Sequence, residues 1–381
     1  MSLFSQDEHP ARDTAADEAL RQAEAFLHQD RFQEAADRLG TDEPANDLPL
    51  FTRLTWYWLA GLALNVTGRS KESERILGLG LDLAEDAHSQ VPQDQQKPLA
   101  QMRERLRCSL GVTYCSQERT EEALIIQRQC KLALEQGIIS DPALKLSIHK
   151  GLGNAALALG WYAEAIGCYQ AAIKDAENLT AWRQLGLAYW GLGVAYRKSK
   201  DLISARDAFQ EALLVFERRE SKQLVASLRS LFGELLTELE DYPEAEHQLE
   251  LSIALARSLG DDFSLANALG NRAYLHIAMQ EHAQATAMLN QAIQIAQGRD
   301  DRRTAGQLHL ILASAYQEQH NRADADHALR EAIRILALTQ DRIFLGDAYE
   351  RYGVFLAAQG AYKQAFEHMR LAYTATLRQA P

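Results

Sequence analysis

The sequence predicts an all-α protein, an α-solenoid in which antiparallel helix pairs stack into a right-handed superhelix. Three observations lead to this prediction. Alanine and leucine are abundant, and only 8 of the 381 residues are proline, a composition that favours helix. Pairs of small residues twelve positions apart run through the chain, and from Gly153 onward these pairs recur every 40 residues. A fixed period of this length is the sequence signature of a repeat array.

The small pairs define the repeat. From Gly153 to the end of the chain, successive pairs lie 40 residues apart without exception: Gly153/Ala165, Gly193/Ala205, Gly233/Ala245, Ala273/Ala285, Ala313/Ala325 and Gly353/Ala365. Four positions after each pair the chain carries a large apolar residue: Tyr169, Phe209, Leu249, Leu289, Leu329 and Met369. Residues four apart share a helical face. Each repeat is therefore predicted to be two amphipathic helices that approach closely where both carry a small side chain.

One repeat shows the predicted elements in order. Its first helix runs through residues 185–193, its turn is 199–201, and its second helix runs through 205–212. The loops add helix-start signals, because Asp141 places a capping side chain just before Pro142. A proline fits the first turn of a helix, where its missing N–H has no intrahelical partner. The sequence therefore predicts that a helix begins at Pro142.

The same repeat carries large and small residues at fixed positions: Leu192, Gly193, Tyr196, Ala205, Phe209 and Ala212. This pattern resembles the tetratricopeptide repeat, and the 40-residue period resembles the longer variant found in adaptor proteins and kinesin light chains. The resemblance covers residues 101–381, which we interpret as seven regular repeats. The proline that usually follows the second helix in this family is missing, which we attribute to longer helices and linkers.

The pattern is weaker toward the start of the chain. The twelve-residue spacing persists in Gly61/Ser73 and Ala23/Ala35, but 50 residues separate Gly61 from Gly111. We interpret residues 16–100 as degenerate N-terminal helical repeats. Residues 1–15 are polar, and we expect a disordered tail there.

Composition and charge exclude several classes of function. The formal net charge of −12 disfavours direct binding to nucleic acid and to anionic membrane surfaces. The sequence has no apolar stretch of the roughly 20 residues that a membrane span needs, and its start lacks the apolar segment of a secretion signal. Four cysteines in a chain of this length do not make a disulfide framework. We therefore expect a cytoplasmic protein.

No motif in the sequence indicates an enzyme, a cofactor or a metal site. Gly151 and Gly153 superficially suggest a dinucleotide-binding loop, but they recur in register inside predicted helices with no strand before them. The histidines show no metal-binding spacing, and Cys108 and Cys115 alone supply too few ligands for zinc. The sequence therefore predicts a non-enzymatic protein without a cofactor.

The resemblance implies a binding groove lined by the first helices. In this family the groove positions are −6, −3, +1, +4 and +5 from the first small residue of a pair. Applied to this sequence, they give as partner-binding candidates Lys150, Asn154, Trp190, Arg197, Lys198, Glu234, Asn267 and Tyr274. The groove is expected to be basic, with an exposed tryptophan, at one end and acidic at the other. The alternative for each residue is a solvated helix face.

An acidic peptide or protein segment is the partner expected at the basic end. Lys150 and Asn154 resemble half of the carboxylate clamp of chaperone-binding family members, whereas Trp190 and Val194 depart from that clamp. The last predicted helix keeps the internal apolar pattern, so we expect Phe366, Met369 and Tyr373 to form a homodimer interface. The alternative is that this helix simply ends in solvent.

A scaffold that binds a protein or a peptide through its groove is the leading interpretation of function. Two alternatives stay open. One is a peptide-sensing bacterial signalling regulator, because such proteins have a similar length and an irregular N-terminal helical region. The other is the ligand-sensing domain of a regulatory system, although residues 1–100 show no basic recognition helix.

Overall fold

The computed structural model describes residues 15–29, 31–117, 119–339 and 342–377, and these residues form eighteen α-helices and no strand. The predicted all-α class is confirmed. The predicted disordered tail lies outside the described residues except for Ala15, where the first helix begins. The helices group into two compact units, residues 1–175 and residues 176–381.

Unit 1 contains seven complete helices and the start of an eighth: α1 (Ala15–His28), α2 (Phe32–Leu39), α3 (Leu50–Val66), α4 (Ser70–Ala87), α5 (Gln93–Ser116), α6 (Thr120–Glu135), α7 (Pro142–Ala158) and α8 (Tyr162–Asn178). Successive helices pack as pairs, α1 on α2, α3 on α4 and α5 on α6. The first helices of the pairs also contact one another, α1 with α3, α3 with α5 and α5 with α7. Their shared side is called here the first-helix surface of unit 1.

Unit 2 contains ten further helices: α9 (Trp182–Lys198), α10 (Leu202–Arg218), α11 (Lys222–Glu238), α12 (Tyr242–Leu259), α13 (Asp262–Ala278), α14 (His282–Gly298), α15 (Arg302–Glu318), α16 (Arg322–Leu336), α17 (Arg342–Ala358) and α18 (Tyr362–Leu377). Each odd-numbered helix packs on the even-numbered helix that follows it. The contacts of α13 with α11 and α15, and of α15 with α17, bring these four odd-numbered helices together, and side-chain hydrogen bonds link α9 to α11. Their shared side is the first-helix surface of unit 2.

The predicted small pairs lie where the two helices of a repeat touch. Ala205 and Ala245 are completely buried. A methyl group added at Gly193 would clash with the ring of Phe209, and one added at Gly233 would clash with Leu249. The large apolar residue of each second helix therefore occupies the space that the missing side chain leaves on the first helix. This contact sets the distance between the two helices.

The helices of unit 2 end at a regular spacing of 20 residues. Residues with positive φ (51° to 70°) close the turns at regular intervals although none of them is glycine: Thr180, Lys200, Glu220, Glu240, Gln280, Asp300 and His320. Each adopts the left-handed conformation that ends a helix, at a cost for residues with a side chain. Five helices of unit 2 begin after capping residues whose side chains accept a backbone N–H: Asp201, Asp241, Asp261, Asp301 and Asn321. In unit 1, Asp141 caps α7 in the same way, and that helix begins at Pro142 as predicted.

One repeat of unit 1 departs from the apolar pattern. Gln127 is fully buried at the position that the other repeats fill with a large apolar side chain. Its amide donates a hydrogen bond of 2.9 Å to the carbonyl oxygen of Cys108, and its side chain lies against both Gly111 and Gly151. The buried amide is thus satisfied by the backbone of the neighbouring helix, which is the condition for its tolerance in a core.

We predict that Ala245→Leu lowers the free energy of unfolding by about 1–3 kcal/mol, because the larger side chain has no space between α11 and α12. Ala205→Leu should have the same effect between α9 and α10. The matched control is Ala254→Leu, at an exposed position of α12. Urea unfolding followed by circular dichroism measures all three variants. Equal stability of Ala245→Leu and Ala254→Leu would mean that the small-pair assignment is wrong.

Candidate functional site

Two of the predicted binding residues lie on the first-helix surface of unit 1. Asn154 on α7 is exposed, and its side-chain oxygen accepts a hydrogen bond of 2.7 Å from the hydroxyl of Tyr169. Lys150, one turn earlier on the same helix, is half-buried. Tyr169, on the second helix of the repeat, thus fixes the orientation of the Asn154 side chain, which α7 exposes to solvent.

A second cluster on the first-helix surface of unit 1 joins Arg105, which occupies an expected groove position, to Trp58, which the sequence did not indicate. Arg105 on α5 pairs with Asp141 at 2.8 Å, and its guanidinium lies over the ring of Trp58 at 5.3 Å. The indole N–H of Trp58 donates to the hydroxyl of Ser109 at 3.1 Å. One signal was available, because Trp58 precedes Gly61 by three residues just as Trp190 precedes Gly193.

The densest polar cluster of unit 2 joins α9 to α11. One guanidinium nitrogen of Arg197 donates to Glu234 at 2.9 Å, and another donates to Glu238 at 2.7 Å and contacts Glu234 as well. The three side chains are largely but not fully buried, with 16% of Arg197, 26% of Glu234 and 24% of Glu238 exposed. They are called here the Arg197 cluster. Solvent can therefore reach the carboxylates.

The charges of the Arg197 cluster are coupled and unequal. Burial lowers the pKa of Arg197, but the hydrogen bonds and charges of Glu234 and Glu238 outweigh this effect and hold that pKa above its ordinary value. Arg197 is therefore fully charged, and one cation faces two carboxylates. The sequence placed Arg197 at the basic end of the groove and Glu234 at the acidic end, but the two side chains are in direct contact. Arg197 therefore does not provide an unpaired positive charge.

Tyr274 on α13 lies beside this cluster and is partly exposed. Burial raises the pKa of its hydroxyl, and the negative charges of Glu238 and Glu234 raise that pKa further. The hydroxyl therefore stays protonated and is available as a donor. Of the remaining candidates, Lys198 is exposed at the end of α9, and the side chain of Asn267 donates to the backbone oxygen of Phe263 at 3.0 Å.

The expected exposure of Trp190 is corrected by the structure. The indole is half-buried, and its ring packs edge-to-face against Phe216 of α10, with 6.3 Å between the ring centroids. Ser230 and Thr237, at two other expected groove positions, are buried. Trp190 turns toward the second helix of its own repeat, whereas Ser230 lies against α13, where Asn271 donates a hydrogen bond of 3.0 Å to its hydroxyl. Of the predicted binding residues of unit 2, Lys198 and Tyr274 are exposed, and the Arg197 cluster is partly accessible.

The thiols are poorly suited to chemistry. Burial raises the pKa of Cys108 to about 12 and that of Cys115 to about 11, and it also raises the pKa values of Cys130 and Cys168. Thiolates, the reactive form, are therefore scarce at neutral pH. Within the described ranges, no group of three or more His, Cys, Asp or Glu residues is placed to hold a metal ion. Nor is any helix of those ranges long and apolar enough to cross a membrane.

Comparison with protein families confirms the resemblance inferred from the 40-residue spacing. The tetratricopeptide repeat model matches residues 184–258 and 224–298, so this part of unit 2 consists of tetratricopeptide repeats. A second model, described as anaphase-promoting complex subunit 5, matches residues 307–359. No curated protein matches the sequence at a significant level.

Several solved structures share the fold along nearly the whole chain. The apo form of RapI is 14% identical, with 95% of this chain and 98% of that chain covered and a TM-score of 0.66. The apo form of the quorum sensor NprR from B. thuringiensis is 18% identical, with 94% and 98% covered and a TM-score of 0.66. NprR in complex with its cognate peptide NprX is 15% identical, with 96% and 99% covered and a TM-score of 0.62. At these identities the likeness concerns the fold.

We predict that Arg197→Met lowers the free energy of unfolding by up to about 3 kcal/mol, because Glu234 and Glu238 are left facing each other without a counter-charge. Adding Glu234→Gln and Glu238→Gln to this variant should restore part of the loss. Urea unfolding at low salt measures the series.

The control for this series is Arg302→Met. Arg302 pairs with Asp300 at a much more exposed site, where 48% and 77% of the side chains are accessible. The expected change there is below about 1 kcal/mol. Equal losses at Arg197 and Arg302 would contradict the assignment of the Arg197 cluster as a partly buried ion network.

Proposed function

We propose that this protein is a non-enzymatic scaffold that binds an extended peptide or protein segment on its first-helix surfaces. The observation that carries the proposal is the Arg197 cluster with Tyr274, in which Arg197 on α9 holds two partly exposed carboxylates on α11 beside a hydroxyl on α13. Polar groups held in a fixed arrangement by rigid helices suit the recognition of a ligand backbone and its side chains. NprR, which shares the fold, has been solved with a bound cognate peptide, and this supports a peptide as the class of ligand.

The charge balance of unit 2 favours a partner that carries a cationic side chain. One guanidinium neutralises only one of the two carboxylates of Glu234 and Glu238, and leaving a carboxylate uncompensated in a partly buried place costs free energy. A cationic group on the partner would remove that cost. The acidic segment expected from the sequence relied on Lys150, Arg197 and Lys198. Arg197 is already paired, so an acidic partner becomes an outcome of the test.

A peptide-sensing regulator is the second candidate function. The fold likeness to RapI and to the quorum sensor NprR extends over 94–95% of this chain, including the N-terminal helices that the sequence pattern describes weakly. Binding of a peptide is common to the scaffold and the regulator. They differ in whether the bound peptide changes the protein's affinity for a further partner, which is the observation that separates them.

A cytoplasmic location completes the proposal. The four cysteines are free, which agrees with a reducing compartment, where thiols persist.

We predict that peptides selected from a phage-displayed library of random seven-residue peptides are enriched in arginine or lysine. The synthetic form of an enriched peptide should bind Glu238→Gln and Tyr274→Ala at least about tenfold more weakly than the parent protein, because both variants remove groups on the exposed side of the cluster. Fluorescence anisotropy measures the affinities, and binding should weaken with added salt.

Further variants locate the site. Lys150→Ala and Trp190→Ala test the other predicted contacts, and Leu214→Ala, at an exposed position of α10, is the control. Enriched acidic peptides whose binding depends on Lys150 would contradict the proposed cationic partner. If every variant folds and binds like the parent protein, the ligand binds elsewhere and the proposed first-helix site is wrong.

We also propose that α18 joins two copies of the protein. In three inner repeats the residue eight positions after the second small residue is buried: Leu213, Ile253 and Ile293. The equivalent residue of α18 is Tyr373, which is 62% exposed, and Phe366 on the same side is 67% exposed. This side of α18 is therefore a stacking face with the apolar character of an interface. Two such faces can cover each other by two-fold symmetry.

We predict that light scattering at micromolar concentration gives the mass of a dimer, and that Phe366→Glu with Tyr373→Glu converts it to a monomer, because four buried charges would oppose the contact. Met369 is left unchanged, since it packs against Gly353 within the last repeat. Leu214→Glu is the control at an exposed site elsewhere. A monomer mass for the parent protein, or a dimer that survives the double substitution, would contradict this interface.

A further inference from the structure

A histidine, an aspartate and a lysine of unit 1 meet where α7 faces α8. The Nδ1 of His149 lies 2.7 Å from one carboxylate oxygen of Asp175, and the ammonium of Lys145 lies 2.9 Å from the other. Lys145 and His149 are one turn apart on α7, so both side chains reach the same residue of α8. Asp175 is buried, whereas 43% of the Lys145 side chain is exposed.

The contact with Asp175 decides which nitrogen of the His149 ring carries the proton. A carboxylate that is paired with an ammonium only accepts hydrogen bonds, so the Nδ1 of His149 donates. In the neutral ring the lone pair is then on Nε2. Lys145 already supplies a counter-charge for the carboxylate, so the contact requires no second proton on the ring.

The other nitrogen of this ring is open to solvent. The Nε2 of His149 makes no hydrogen bond within the described residues and is not buried, and 16% of the side chain is exposed. His276 provides the contrast, because its Nδ1 also lies 2.7 Å from a carboxylate oxygen, that of Glu281, but its Nε2 is buried. An imidazole held by a carboxylate at one nitrogen and accessible at the other is the arrangement of a nucleophile or base.

We propose that His149 is a phosphorylation site, at which Nε2 takes a phosphoryl group from a small activated phosphate such as phosphoramidate. The lone pair of Nε2 attacks phosphorus, and the P–N bond of the donor, whose nitrogen is already protonated, breaks and releases ammonia. The ring then carries the phosphoryl group on Nε2 and the original proton on Nδ1. It is therefore a cation bonded to a dianionic group.

The neighbouring charges suit this product. The positive charge of the substituted ring forms beside the carboxylate of Asp175, just as the imidazolium of a catalytic triad forms beside its aspartate. Lys145 is a flexible, half-exposed cation one turn away, and its ammonium can pair with the new phosphoryl oxygens. Asp175 is thus a positioning residue and Lys145 a binding residue. The site is separate from the Arg197 cluster, so labelling of His149 and binding of a peptide are tested independently.

Reactivity distinguishes this site from a histidine that only ties two helices together. If exposure alone controlled the reaction, His149 would react more slowly than His247, which is exposed on α12. The arrangement at His149 predicts the opposite order, because the lone pair is held on Nε2 and the cationic product is stabilised. His276 should stay unlabelled, because its Nε2 is buried.

The test is incubation of the full chain with phosphoramidate in mildly alkaline solution, where histidine rings are neutral. Mass spectrometry of proteolytic fragments gives the labelling rate at each histidine. We expect His149 to react at least about tenfold faster than His247. Asp175→Asn should remove at least about tenfold of the rate at His149 and leave the rate at His247 unchanged, because an amide can hold the ring but cannot neutralise its charge.

Lys145→Met should also slow the labelling of His149, and Lys131→Met, at an exposed position of α6, is the matched control. Circular dichroism checks that each variant is folded, and if Asp175→Asn is not, the rates of the parent protein and of Lys145→Met decide. Phosphorus NMR distinguishes a phosphoryl group on Nε2 from one on Nδ1. Labelling of His149 no faster than that of His247, a label on Nδ1, or equal rates in the Lys145 and Lys131 variants would overturn the proposal.

Discussion

The rest of the structure depends on one packing constraint, the contact between a small residue on each first helix and a large residue on the second helix of the same repeat. Phe209 against Gly193 and Leu249 against Gly233 show it directly. Such a contact fixes the distance and the axial register of two helices, because a shift in either direction brings a side chain into backbone. The register also fixes where each helix must end. The helices end every 20 residues, even where the residue that takes the positive φ is not glycine and its backbone is strained.

A fixed register places equivalent positions of successive repeats next to one another, and the polar chemistry of unit 2 follows from this. Arg197 lies at position +4 of its repeat, and Glu234 and Glu238 lie at +1 and +5 of the next. The stacking of one repeat on the next brings these side chains within hydrogen-bond distance. Ser230 and Thr237 are buried, and the contact between the two helices of one repeat turns Trp190 against Phe216. One geometry thus decides which residues of the first helices remain available to a partner.

Local exceptions to the apolar pattern mark the other features of interest. Gln127 replaces a large apolar residue and satisfies its amide on a neighbouring backbone, so it adds no exposed or unpaired group. Both ring nitrogens of His309 and the Nδ1 of His368 are buried without a hydrogen-bond partner among the described residues. Tyr373 occupies a position that inner repeats bury. Departures of this kind from local consistency are where function and regulation are most often found.

The sequence by itself determined the helical class, the pairing of helices within a repeat, the start of α7 at Pro142 and the tetratricopeptide character, because these depend on spacing along the chain and on contacts inside one repeat. It also identified the residues that the Arg197 cluster brings together, but it assigned them to opposite ends of a groove. Only the tertiary structure decided that Arg197 is paired with both Glu234 and Glu238, that Trp190 is half-buried, and that Trp58 joins Arg105 and Asp141. The physical reason is that contacts between repeats depend on the angle at which one helix pair packs on the next and on side-chain rotamers, and a 40-residue period fixes neither.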